Sequence, residues 1–279
     1  MLAAALPQTT DEVLAFHLHL DVLGLLIAIA VAYELGIRRL GPSLAPQGEP
    51  IVTRRQRILF YSGLGSLLLV SSWPIHDLGS GSLFVLHMWE HMVFGLIAPP
   101  LLLWGTPWWL IRFAVRPIMP VVRIVTKPIV ALLLFNAVLG LIHVPAVVEL
   151  MLRSELAHFA LHALLLVTGI IMWWPVVAPL PELPQLSPPL KIGYLFLQSL
   201  VPTIPASFLT LGDSALYKIY EELPRVGGIS AHTDQVLAGL SMKVIGGLII
   251  WGVMAGIFFN WWAEEQRFDA ADRSHSRQS

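Results

Sequence analysis

Cysteine is absent from the 279-residue chain, which excludes disulfides and thiolate metal sites and leaves histidine and methionine to carry any soft-metal chemistry. Charge is scarce too. Asp, Glu, Lys and Arg make up 13% of residues against 56% hydrophobic, with a mean hydropathy of +0.72. A soluble domain carries about 25% charged residues, so this is a membrane protein. The sequence has no P-loop, GxGxxG, HExxH or serine-nucleophile elbow. Basic residues flank apolar runs and form no nucleic-acid face. The first thirteen residues carry no basic n-region and no clear cleavage site, so the run from Leu14 reads as a retained first span rather than a signal peptide.

What is abundant is apolar sequence in lengths of about 20 residues, the length that crosses a hydrocarbon core. The runs predict an all-α integral membrane bundle of seven transmembrane helices at roughly 14–37, 57–76, 83–104, 125–144, 154–178, 190–211 and 236–262. Residues 1–262 then form one transmembrane domain and 263–279 a polar tail. "PWWLIRFAVRP", between spans three and four, is short, aromatic and basic, as suits an interfacial segment. Lys and Arg cluster in alternate connections (Arg38, Arg39, Arg54, Arg55, Arg57; Arg112, Arg116, Arg123, Lys127; Lys191) and in the tail (Arg267, Arg273, Arg277). The positive-inside rule therefore places the N-terminus outside and the C-terminus in the cytoplasm.

That orientation puts nine of the ten histidines on the external side, with His275 the exception. In "LHMWEHM", His87 and His91 stand four residues apart and share a helix face; so do His158 and His162 in "AHFALHA". Both spans run inward from outside, and each pair begins about four residues in, so the four imidazoles lie in one layer roughly 6–12 Å deep. A histidine within a membrane commonly bonds a neighbouring helix, but two pairs at equal depth point to metal or haem ligation. Glu90 lies off the histidine face and reads as a partner behind the ligands, with Met88 and Met92 adding soft sulfur nearby.

Other polar residues surround this layer. His17, His19 and Asp21 in "FHLHLD" spread around a helix and converge only if the start of span one is extended; Asp21, deeper in the span, is the more unusual. His76 faces the layer from span two, whereas Asp77 beside it reads as a helix-end cap. His143 ends span four, and His232 lies in the last external loop. Asp234 reads as a cap for span seven, near Met242, and Lys243 needs an acidic partner such as Glu90 or Asp21. Trp108-Trp109, Trp173-Trp174 and Trp261-Trp262 read as interfacial belts, and Pro202 and Pro205 predict a kink in span six.

Histidine and methionine facing an extracytoplasmic space suit copper best, with zinc or haem as alternatives. A zinc hydrolase would cast Glu90 or Asp77 as its base.

The same residues resemble the CtaG-like family of polytopic cytochrome c oxidase assembly factors, first associated with caa-type oxidases. The resemblance runs from about residue 14 to 260 through "WPIHDL", "HMWEHMVFGLIAPPLLLWGTP", His143-Val-Pro145, "LAHFALHALLLVTGIIMWWPVVAP" and "LYKIYEELPRVGGISAHTDQVLAGLSM". It implies a seven-helix protein of the bacterial plasma (inner) membrane that helps copper reach a haem-copper oxidase. The expected partners are an oxidase subunit and/or a periplasmic copper chaperone. The implied metal layer is His87, His91, His158 and His162, with His76, His143 and Asp234 at matching motif positions. Glu90 stands where the family pattern has Gln, and Lys243 where an aromatic residue is usual.

Overall fold

A computed structural model describes residues 6–276 except Pro184, with side chains through Phe268, so the side chains of Arg273, His275 and Arg277 lie outside the described set. Every apolar run is helical, and no strand occurs among the described residues. The helices of five or more residues are α1 (Thr10–Leu14), α2 (Leu20–Leu44), α3 (Arg54–Val70), α4 (Ile75–Gly81), α5 (Phe84–Gly105), α6 (Trp108–Val125), α7 (Pro128–Ile142), α8 (Pro145–Arg153), α9 (Glu155–Val177), α10 (Pro188–Leu211) and α11 (Ala231–Phe268), with short turns at Ile219–Glu222 and Val226–Gly228.

Five of these, α2, α5, α9, α10 and α11, are long and apolar enough to cross a membrane. Two bent pairs bring the number to as many as seven: α3 with α4, bent by 43°, and α6 with α7, bent by 90°. The segment expected at the interface falls in α6, at right angles to α7. There the Arg112 guanidinium lies 4.6 Å over the Trp108 ring and bonds both Glu182 oxygens at 2.6 Å.

Three boundaries differ from those predicted. The first long helix starts at Leu20, because α1 ends at Leu14 and an irregular stretch carries His17 and His19. α11 starts at Ala231, because Ser230 accepts the Thr233 amide at 3.1 Å and caps it. Its far end does not stop at 262. Helical backbone continues beyond Phe268, where the span-length part named α11 ends, as far as Ser276, since Ala263-Glu-Glu-Gln-Arg267 are strong helix formers with no Gly or Pro among them.

α5 is the central element, packed against α3, α4, α9 and α11. Its approach to α9 needs a small residue: a Cβ on Gly169 would lie 3.0 Å from Pro99 Cγ and 3.1 Å from the Gly95 carbonyl oxygen. Within α5, residues Val93–Ile97 form a π-helical turn. The cause is local. The partners four and five residues beyond Gly95 are Pro99 and Pro100, which have no N–H, so the Gly95 carbonyl has no acceptor role within its own helix. Trp173 Nε1 supplies the missing donor at 3.1 Å. Trp173 and Trp174 are core residues rather than belt residues: the carbonyl recruits the Trp173 indole inward, and Trp174 packs in the same apolar core. Trp262, by contrast, is exposed, and Trp109 is buried with its Nε1 donating to the Ile51 carbonyl at 3.0 Å. In α10 the helix breaks between Leu200 and Thr203, at Pro202.

Candidate metal centre

The start of α5, where His87 lies, has no side-chain cap of its own. Asp234 on α11 provides one from 150 residues away: its carboxylate accepts the Phe84 amide at 2.7 Å and the Val85 amide at 3.0 Å. Arg225 Nη2 donates to the same carboxylate at 3.0 Å, and Arg225 also donates to the carbonyls of Ile229 and Ser82. Asp234 therefore caps α5 rather than its own helix, whose start Ser230 already satisfies. Its neighbour Gln235 accepts the Leu216 and Tyr217 amides at 2.8 and 3.1 Å and donates to the Tyr217 carbonyl at 3.1 Å. Two tyrosine hydroxyls held by this segment donate to carbonyls at the ends of other helices, Tyr217 to His143 and Tyr220 to Gly79, each at 2.9 Å. The 214–235 segment thus ties α4, α5 and α7 together at the histidine end. Tyr217, Tyr220, Arg225 and Gln235 carry no local signal of this role; only their long-range partners show it.

On this frame the two i,i+4 pairs meet. Ring centroids are 4.5 Å apart within each pair, and 5.3 Å separates His87 from both His158 and His162; His91 lies 5.1 Å from His162. His76 reaches His158 at 5.0 Å and His143 reaches His91 at 5.9 Å. The tightest donor group is not the four-histidine set. It is His87, Glu90, His158 and His162, whose ligand atoms all lie within 4.8 Å of one another. Glu90 belongs to it because it stands three residues after His87, a spacing that shares a helix face as i,i+4 does. That His-x-x-Glu spacing is the signal that would have placed Glu90 among the donors. Its carboxylate is fully buried, 3.3 Å from His76 Nδ1 and 3.8 Å from His162 Nε2.

Hydrogen bonding within the protein does not satisfy these groups. His87 Nδ1, both nitrogens of His91, and Nε2 of His143, His158 and His162 are buried without a partner, while the Glu90 carboxylate has only His76 Nδ1 within hydrogen-bonding reach, at 3.3–3.4 Å. Each such atom costs about 1–3 kcal/mol if left unmatched. Buried imidazole lone pairs converging with one carboxylate match a metal cation, so the donor set fits one.

At the surface, His17 Nδ1 and His19 Nε2 converge on Asp77 at 3.3 and 3.0 Å. The irregular start of the chain allows this convergence, and Asp77 acts here as an acceptor for histidines as well as a residue of the first turn of α4. They line a cavity of about 490 Å³ with His76, Glu155 and His158. The His19 and His76 rings are 4.9 Å apart, so the mouth is continuous with the buried group. Asp21 is exposed on the first turn of α2 and makes no hydrogen bond or ion pair with these histidines among the described residues. His232 lies apart, half-buried, with Nε2 donating to the Gly212 carbonyl at 2.8 Å. Met88, Met92 and Met242 line a separate small cavity with His91 and His143. Lys243 is answered by a hydroxyl instead of an acid: its Nζ donates to Thr210 Oγ1 at 2.8 Å.

The family model described as cytochrome c oxidase caa3 assembly factor (Caa3_CtaG) matches residues 31–264. No curated protein and no solved structure matches the chain.

Proposed function

Since this chain belongs to the cytochrome c oxidase caa3 assembly factor family (Caa3_CtaG), we propose that it binds copper in its buried histidine layer and holds it for a haem-copper oxidase. The observation that carries this reading is the donor group of His87, Glu90, His158 and His162, gathered within 4.8 Å and lined with unpartnered buried atoms. His76 stands beside it on the mouth side and His91 and His143 on the inner side. Imidazole accepts either oxidation state of copper, and the Glu90 carboxylate offsets part of the charge of an ion taken out of water. Copper is cargo in this reading, and no residue is assigned a catalytic role.

The alternatives fare differently against the same geometry. Zinc would accept the four donors as a closed tetrahedral set. A zinc hydrolase needs an open ligand position and a free base, and Glu90 among the donors is poorly placed to serve as that base. Haem needs a wide slot between opposed histidines, whereas these rings pack 4.5–5.3 Å apart. Lys and Arg placement orients the bundle with its histidine end toward the extracytoplasmic side of the bacterial plasma membrane. An oxidase subunit or a periplasmic copper chaperone would meet it there.

The test is metal content of detergent-purified full-length protein after copper or zinc loading. Wild type is expected to retain copper and the His87→Ala/His158→Ala variant to lose the ion held by this group, with the oxidase in complemented membranes losing copper in parallel. Copper at background in wild type, or a variant that matches it, overturns the reading.

A further inference from the structure

His91 and His143 stand outside the close donor group and open onto a different space. A cavity of about 60 Å³ is lined by both, by Met88, Met92 and Met242, and by Lys243 on α11. His143 Nδ1 donates to the Leu139 carbonyl at 2.7 Å, which leaves the lone pair on Nε2. That Nε2 and both nitrogens of His91 are buried without a partner, and each residue is 6% exposed. Two imidazoles and three thioethers are neutral donors, soft on the sulfur side, and no carboxylate lines the cavity.

The absence of an acid among the lining residues decides the charge of the ion. A divalent ion there would meet no compensating anion, so the lower charge is favoured. We infer that this cavity is a second metal site, selective for a soft monovalent cation of the Cu(I) type, with His91 and His143 offering nitrogen and Met88, Met92 and Met242 offering sulfur. The function proposed above needs only the first group, so this site goes beyond it. Both helix irregularities of the neighbouring wall, the break at Pro202 in α10 and the π-helical turn Met242–Gly246 in α11, border the same cavity. π-helical turns inside α-helices concentrate at functional sites.

The test uses the full chain in detergent under anaerobic conditions, titrated with Cu(I) against a competing chelator, with X-ray absorption at the copper edge. Wild type is expected to bind two equivalents and to show sulfur scattering. The volume-conserving Met88→Leu/Met92→Leu/Met242→Leu variant should keep one equivalent and lose the sulfur signal. The His87→Ala/His158→Ala variant should keep one equivalent with sulfur neighbours, which guards against loss of folding in the methionine variant. A single wild-type equivalent with only nitrogen and oxygen neighbours, or a leucine variant that still binds two, overturns the second site while leaving the first intact. Failure of wild type to bind any copper overturns both.

Discussion

Replacing Asp234 by alanine would remove one carboxylate that accepts two amides at the start of α5 and one arm of the Arg225 guanidinium, at a position 1% exposed. Breaking a buried ion pair by deleting one partner costs about 3–5 kcal/mol, and losing a helix cap about 0.5–2 kcal/mol. The two figures overlap, because the same oxygens serve both purposes. Arg225 also retains the Ile229 and Ser82 carbonyls as acceptors, so its charge is not stranded. These facts together place Asp234→Ala at about 3 kcal/mol of lost stability. Asp234→Asn, whose amide oxygen can still accept one amide, should lose about half as much.

The assay is reversible unfolding of the full chain in mixed micelles, extended to a double-mutant cycle with Arg225→Gln. The double variant should be little worse than Asp234→Ala alone, a coupling of about 1–3 kcal/mol. Copper content supplies the second reading. The Asp234 carboxylate faces amides and a guanidinium and is absent from the donor group, so Asp234→Asn should keep the wild-type metal content. An Asp234→Ala variant within 0.5 kcal/mol of wild type, or additive single effects, would refute the capping argument. A folded Asp234→Asn protein stripped of copper would make Asp234 a ligand instead.

Three further outcomes are expected. Glu90→Gln keeps the side chain's size but removes its charge, so Zn(II) affinity at the first group should fall by at least tenfold and Cu(I) affinity by less; equal losses in competitive titrations would refute the role given to charge. Trp173→Phe removes the indole donor to the Gly95 carbonyl and should cost about 1–3 kcal/mol in the same unfolding assay; a neutral effect would mean that carbonyl finds another donor. The hydrogen bond from Arg112 holds the Glu182 carboxyl below the ordinary carboxylate range, so its stabilising effect is present at neutral pH and lost as pH falls through the lowered value. Arg112→Gln should return the Glu182 titration, followed by carboxyl ¹³C NMR, to the ordinary range; an unshifted titration would contradict the pairing.

Helices and the two histidine pairs were legible because they depend on neighbours in the chain. Hydropathy over about 20 residues marks the long helices, and i,i+4 spacing alone puts His87 with His91 and His158 with His162. Glu90 is legible through its i,i+3 relation to His87, although it also stands beside His91, about a third of a turn off the i,i+4 face. What local sequence does not carry is pairing at long range. Nothing near Asp234 reveals that its partners are Phe84 and Val85, and nothing near Asp77 reveals that His17 and His19 fold onto it. Trp173 shows the same limit in another form. Its composition suits an interface, and only the Pro99-Pro100 pair on another helix creates the buried carbonyl that draws it inside.

The donors also follow an order from the surface inward that bears on how an ion would lose its water. At the mouth, Asp77 is still partly exposed beside His17 and His19, so a hydrated divalent ion meets negative charge before any desolvation is complete. The next acid, Glu90, is fully buried and lies within 3.3 Å of His76 and 3.8 Å of His162, so the second charge stands where the dielectric is lowest. Stripping a divalent ion of water in such a place has an effective penalty of several kcal/mol, which one adjacent carboxylate and three imidazoles can offset. Beyond them, at His91, His143 and the methionines, no acid lines the cavity. An ion that moves that far must need no anion, and among copper's two states only Cu(I) combines a single charge with a preference for thioether sulfur. If both proposed sites hold metal, Asp77 at the mouth, Glu90 beneath it and the acid-free cavity beyond would sort ions by valence with depth.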